Sequence, residues 1–383
     1  MTMAIPRSRR QAELSFSAAL ATAADIAARS PSSHNSQPWG LAQVVSDLAR
    51  RRAAALCADS DTGDEFLLLA ADRARELEAL PAHHAEMQLS CGLFWGLAQR
   101  ALAAQGWMVR AVVTSAAADL GMFGLPAHWR PLRLIRLQRT GETAEPLTQL
   151  RRLAVARQTD RGPYLDKPVP ADVLDMLVRC DAEGRQRIHV RYLTSEDDRN
   201  RFVRFVARHA GRDFTHSAAW RETHSFIRRT ETEARDRGDG FTYTHLFGPL
   251  SRPQMLLRRI VLAPVTMRAL SATWFPRILA GQLAAVVRRS PAVFALSLPD
   301  STAGDDELLT AGEMLTDVWL RATDAGLVLH PISIVIQHED LRARFQTEFA
   351  LSGQVFFVAR LGYSAQHLPR SPRRDPAASL RAL

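Results

Sequence analysis
Hydrophobic positions recur at helical spacing in some stretches of the chain and run together or alternate in others. Residues 11–29 have helical spacing and stop near Ser30-Pro31, because the residue before a proline is driven out of the helical region. DEFLLLAADRARELEALPAHHAEMQLSCGLFWGLAQRALAAQGW (64–107) predicts two helices divided near Pro81, the second long and buried. MVRAVVTS (108–115) and PLRLIRLQR (131–139) predict strands.

The polar, breaker-rich TGETAEP (140–146) predicts a linker. It divides a first unit over 1–145 from a second over 150–383. The second opens with a helix, an Arg-rich loop and a helix starting near Pro170 and Asp172, followed by the strand RIHVRYL (187–193). Residues 196–290 read as a mostly helical insertion. Beyond it come the strand AVFALSLP, the helix LLTAGEMLTDVWLRATDAG stopped at Gly326, the loop and strand LVLHPISIV, the helix EDLRARFQTEFAL and the strand VFFVARLGY. Helices and strands interleave without βαβ regularity, which predicts an α+β layered fold.

Composition bounds the rest. With 383 residues, 46% of them hydrophobic, the chain has apolar material for more than one domain core. The net charge of +9 invites a nucleic-acid reading, but Lys167 is the only lysine and the arginines alternate with acids, as in ADRARELEAL (71–80). No basic strip interleaved with aromatics and no reader motif is present, so no nucleic-acid partner is expected.

The start, PRSRRQAELSFSAALATAADIAA, has twin arginines, yet Glu13 and Asp25 interrupt the apolar run that export needs. Arg258, Arg259, Arg268 and Arg277 break the apolar segment Met255–Val287 well short of the roughly 20 residues that cross a bilayer. Cys57, Cys91 and Cys180 are odd in number and lack a CxxC, which predicts reduced thiols and a cytoplasmic protein. Cys91 reads as a buried thiol inside an apolar helix. His83, His84 and Glu86 contain an H-x-E without the P-C-x-x-C partner of a zinc deaminase, so an exposed helix start is expected there and no metal site. No G-x-G-x-x-G follows a strand, so no dedicated Rossmann domain is expected.

One short stretch is out of keeping with its neighbours. SPSSHNSQPW (30–39) is rich in hydroxyls and amides that suit neither core nor solvent face. It resembles the flavin loop of the FMN-dependent nitroreductase family, P-S-x-x-N-x-Q-P-W. Three more segments resemble that family in order: RQTDRGPYLDKPV (157–169) its opening Arg motif, ATDAGLVLHPIS (322–333) the stretch beside the flavin ring, and LGYSAQHLPRSPRR (361–374) its basic closing segment.

The order departs from an ordinary member, whose Arg motif precedes the loop within one short protomer. Here the loop comes first and the Arg motif over a hundred residues later, while CDAEGRQRIHVRYL stands where the second unit would repeat the loop. The pattern resembles the duplicated, Acg-like branch: two fused nitroreductase-like halves forming an internal pseudodimer around one FMN. That resemblance implies a monomer or a homodimer.

The residues suit that reading. FMN carries a dianionic phosphate, a polyhydroxyl chain and a ring that becomes anionic on reduction. Arg157 and Thr159 offer a guanidinium fork and a hydroxyl for phosphate or ribityl oxygens. By the resemblance, Arg161 would face the ring's N1 and O2. Arg370, Arg373 and Arg374 are candidates for the phosphate. Ser32, Ser33 and Asn35 would hydrogen-bond the pyrimidine edge or ribityl chain, with Gln37 bracing the loop. Pro331, Ile332 and Ser333 would lie over one face of the ring, with a backbone N–H near N5. Trp39 reads equally as packing or as a flavin contact.

The implied activity is FMN-dependent transfer of electrons from NAD(P)H to a small electron-poor or unsaturated molecule. Flavin-mediated dehydrogenation of a biosynthetic intermediate is equally compatible. No side chain stands out as acid or base. A catalytically idle FMN-sequestering protein is the alternative, with the apolar 241–287 segment as a lid. A third reading makes that segment an amphipathic docking surface for a membrane, acyl chain or partner protein.

Overall fold
The computed structural model describes residues 7–178, 188–300, 302–366 and 368–383; Cys180 lies outside them. The strands form two sheets. The first contains β1 (Trp39–Gln43), β2 (Glu65–Asp72), β3 (Trp107–Thr114) and β4 (Trp129–Arg139), in the order β3-β4-β2-β1. The second contains β5 (His189–Leu193), β6 (Ala292–Leu298), β7 (Val328–Pro331) and β8 (Gln354–Gly362), in the order β7-β8-β6-β5. Strand for strand the two orders are the same, and all six pairings are antiparallel. The C-terminal β9 (Leu380–Ala382) crosses back and adds to β1 in parallel, tying the end of the chain to the first sheet.

Each sheet sends a long helix between its second and third strands: Pro81–Ala103 in the first half and Asp305–Asp324 in the second. The two helices cross at Gly92 and Gly312. A Cβ on Gly92 would lie 2.0 Å from the Leu309 carbonyl oxygen, and one on Gly312 would lie 2.4 Å from that of Leu89. Neither glycine tolerates a side chain, and the two halves meet backbone to backbone there. Leu89 and Leu93 of the first helix pack with Leu308, Leu315 and Trp319 of the second into the core under the second sheet. The opposite face of that sheet is covered by the helices Glu196–His209, Phe275–Arg288 and Glu339–Glu348 through Phe202, Phe205, Ala284 and Phe345.

Most elements lie where the pattern of the chain puts them, with one exchange of type. Glu65–Asp72, expected in a helix, is the strand β2, flanked by β1 and β4 and buried along its whole length. A strand buried on both faces has no alternation, and its apolar run cannot be told from a buried helix by periodicity. The exposed helix start expected at His83–Glu86 holds in part: the helix begins at Pro81, and Pro81 and His84 are exposed. His83 is buried, and Glu86 accepts a hydrogen bond from Ser33 Oγ and one from Gln337 at 2.9 Å. Cys57 and Cys91 are buried free thiols, and burial pushes the Cys91 thiol up. No single described helix is long and apolar enough to cross a membrane.

Candidate functional site
The loop between the first helix and β1 is held in a costly conformation. His34, Asn35 and Gln37 all have positive φ, 51°, 54° and 55°. Asn tolerates that region through its short polar side chain, but three non-glycine residues within four positions persist only when the surroundings determine them. Those surroundings come from distant segments. Asn35 Nδ2 donates to the Gly240 and Pro372 carbonyls at 2.9 Å each, and its Oδ1 accepts from Arg373 at 2.8 Å. Gln37 Nε2 donates to the Gly238 carbonyl at 2.7 Å, and its Oε1 accepts from the Arg374 backbone N–H at 3.1 Å. Arg75 bridges the Ser36 carbonyl and Asp239, each at 3.0 Å.

The Gly238-Asp239-Gly240 turn is built for this contact. A Cβ on Gly240 would fall 2.2 Å from the Phe226 carbonyl oxygen. Asp239 is locked by Arg228 as well as Arg75. The helical insertion therefore supplies the outer brace of the loop, a role its sequence did not reveal. The Gly-Asp-Gly signal was there to be read as a tight turn.

Two adjoining cavities open inside this frame. The first is cationic and is walled by Arg29, Ser32, Asn35, Arg157, Thr159, Arg161, Phe241, His245, Arg370 and Arg373. The second is more apolar and is walled by Ser32, Ser33, His34, Glu86, Leu93, Thr159, Arg161, Trp319, His330, Pro331, Ser333 and Phe357. Pro31, Ser32, Thr159 and Arg161 belong to both, so the two form one elongated cleft. His34 and Thr159, from different halves of the chain, both line the second cavity.

The cationic end lacks a counter-charge among the described residues. Arg157 is buried with its guanidinium 4.9 Å over the Trp319 ring, and Nη2 donates only to the Arg29 carbonyl at 3.3 Å. Its Nε and Nη1 have no partner, nor does Arg373 Nε. Burial, with Arg373 and Arg370 nearby, pushes the Arg157 guanidinium well below its ordinary value. Burial also holds Arg373 down at about 10. Buried guanidinium donors are normally satisfied, and three cations drawn together without an acid form an anion receptor.

The wider end holds neutral imidazoles. Burial, then His83 and Arg161, lowers His34 to about 3, and its buried Nδ1 has no partner. His330 is pushed well below its ordinary value by burial, then by Arg360 and Arg161. Its Nδ1 accepts from Arg360 Nε at 3.0 Å, and because a guanidinium only donates, the proton sits on Nε2. His330 therefore presents a fixed N–H donor to the cleft. Arg161, held at about 10 by burial and Arg360, makes no protein hydrogen bond among the described residues and stands at the junction of the two cavities.

Two expected ligand residues are placed elsewhere. Ile332 packs in the core, and its N–H is taken by the Val358 carbonyl at 2.8 Å. Arg374 lines neither cavity and braces the Gln37 carbonyl at 3.2 Å, with Asp72 at 3.9 Å. Gln37 lines neither cavity and braces the loop. Asn35 lines the cationic cavity, but its amide is committed to protein partners, so it positions the loop. Trp39 stacks on Phe94 in the core, ring centroids 4.9 Å apart. Arg29, Glu86, Phe241, His245, Trp319 and His330 are wall residues that sequence reasoning missed.

Comparison with known proteins decides the family. The chain is 31% identical over 375 residues to the probable NAD(P)H nitroreductase PigM of Serratia sp. (strain ATCC 39006), covering 94% of this chain and 92% of the relative. The chain belongs to the nitroreductase family. No protein-family model matches this nitroreductase. Among solved structures it is similar to the FMN-dependent nitroreductase NfnB from Mycobacterium smegmatis in complex with NADPH, at 14% identity and a TM-score of 0.36, over 61% of this chain and 97% of that one. It is also similar to a nitroreductase-like protein from Bacillus cereus, at 14% identity and a TM-score of 0.33, over 59% of this chain and 90% of that one.

Proposed function
We propose that this nitroreductase is an FMN-dependent oxidoreductase that takes electrons from NAD(P)H and passes them to a small electron-poor or unsaturated molecule. The single observation that carries the reading is Arg157: a buried guanidinium with two unpartnered nitrogens, among like charges, at the end of an elongated cleft. That end fits a phosphate dianion, and the wider end fits a flat aromatic ring.

Bound there, FMN supplies two-electron chemistry at its ring. The chain's own residues bind and tune it. Arg157, Arg373 and Arg370 would neutralise the phosphate. Ser32 and Thr159 border the passage between the lobes, where the polyhydroxyl chain would run. Arg161, which lies 5.7 Å over the Phe241 ring and makes no hydrogen bond among the described residues, would offset negative charge arriving at the ring end. His330 Nε2–H donates into the same space, and Glu86 holds Ser33 at its edge. Trp319, Leu93 and Phe357 keep water from one side of the cleft.

We also infer that residues 1–145 and 150–383 are a duplicated protomer, each half retaining what the other has lost. Their matching strand orders and the mixed parentage of the cleft support this. The preparation should be yellow, with one FMN per chain, and should bleach under anaerobic NADH or NADPH. A yellow protein that neither nicotinamide bleaches would instead be an FMN-sequestering protein; a colourless one that takes up no added FMN overturns the reading.

A further inference from the structure
Residues 240–299 contain seven arginines and no aspartate or glutamate. Their helices Arg252–Val261, Pro264–Leu270 and Phe275–Arg288 pack through Met255, Leu262, Met267 and Leu279 onto a small core with Ile227 and Tyr243. A surface helix in water turns its apolar arc toward such a core. Arg252–Val261 does the reverse. None of its residues is buried, and Leu256, Leu257 and Ile260 are each more than half exposed. At about 100° per residue these three share one arc with Pro253, rimmed by Arg252 and Arg259. Val265 on the next helix and Trp274 at the N-cap of the third are exposed too, at 82% and 69%.

The charge pattern says what such a surface fits. None of the seven arginines forms an ion pair among the described residues, although Arg259 donates to the Arg229 carbonyl and Arg258 lies 4.5 Å over the Phe247 ring. In a symmetric dimer through this face the same cations would confront one another, which opposes self-association. Apolar side chains flanked by unpaired guanidinium groups complement the anionic headgroup layer of a bilayer, which accepts both. The helix pair with enough apolar length to cross is bent by 106°, so the fit is to lying on a membrane, not spanning it.

A groove beside Arg161, walled by Leu246, Phe247, Pro249 and Val286, runs along the same insertion, with Phe247 under Arg258. We infer that the exposed face of these three helices docks the protein peripherally on an anionic lipid bilayer. The inference stands on the surface alone and does not require the flavin reading.

The test is co-sedimentation of the full chain with vesicles of pure phosphatidylcholine and with vesicles containing about one third phosphatidylglycerol. The anionic vesicles should bind at least about tenfold more tightly, with binding falling as salt is raised. Leu257→Glu with Ile260→Glu should lower partitioning by about tenfold or more, and Arg252→Ala with Arg259→Ala by about fivefold per charge removed. All four positions are exposed or rim residues, so melting temperature should hold; Leu257→Ser serves as the milder variant if the glutamates lower it. Equal binding to both vesicle types, or variants that bind like the parent, overturns the inference. So does a concentration-dependent dimer by light scattering that Leu257→Glu dissolves, since the face would then be a self-interface.

Discussion

Arg133 and Arg157 are both buried, and they differ in what meets the guanidinium. Arg133, on β4, donates to Asp306 and Glu313 and, at 2.6 Å, to Thr310 Oγ1, all on the Asp305–Asp324 helix of the other half. Arg157, between a helix and the Arg-rich loop, meets one carbonyl, a tryptophan face and two other arginines. Both cost desolvation, but only Arg133 recovers it inside the protein. A buried charge completed by its own chain holds two halves together; one left incomplete is kept for something that arrives from outside.

The largest effect should follow from breaking the complete site. Arg133→Ala strands Glu313 and Asp306 and should cost roughly 3 kcal/mol in denaturant unfolding with or without flavin, the low end for a buried pair because Asp306 is half exposed. Arg157→Ala should behave in the opposite way. FMN affinity should fall about 10- to 100-fold, the worth of a charge-assisted hydrogen bond, while the flavin-free protein keeps or gains stability by losing a repelled cation. If the flavin-free variant loses as much as Arg133→Ala does, the contrast between the two arginines fails.

Asn35→Ala sharpens the comparison from the other wall of the cleft. Its amide serves the protein, so the variant should lose about 1 kcal/mol without flavin and about tenfold in FMN retention by calorimetry. A change in flavin affinity alone would make Asn35 a direct ligand.

The smallest effect concerns pH. His34 is neutral in the fold, lowered from 6.5 to about 3, so between those values the unfolded chain binds the extra proton. Stability is present above 6.5 and is lost as pH falls, by about 1 kcal/mol from pH 6.5 to 5.5. His34→Gln should make that part of the pH–stability curve shallower, leaving the slope that the buried neutral His330 contributes.

How much of this was legible in the sequence follows from where each contact lies. The hydroxyl-rich loop and the Arg motif stood out because their residue types are wrong for core or solvent, and the fold brings them to one cleft. β2 was misread because a strand buried on both faces has lost its alternation. The loop's braces were invisible because Asn35 reaches Gly240 and Pro372, and no local pattern encodes a bond across two or three hundred residues. Ile332 and Arg374 were misassigned for a related reason: neighbours on a short strand or tail face opposite ways, and only packing decides which one meets the cleft.

Titrating flavin-free protein with FMN, parent and Arg157→Ala side by side, probes the two-sided cleft most directly. The parent should saturate at one FMN per chain, and the variant should need 10- to 100-fold more flavin to reach the same occupancy, by roughly the worth of a charge-assisted hydrogen bond. Saturation of both at the same concentration would contradict the account.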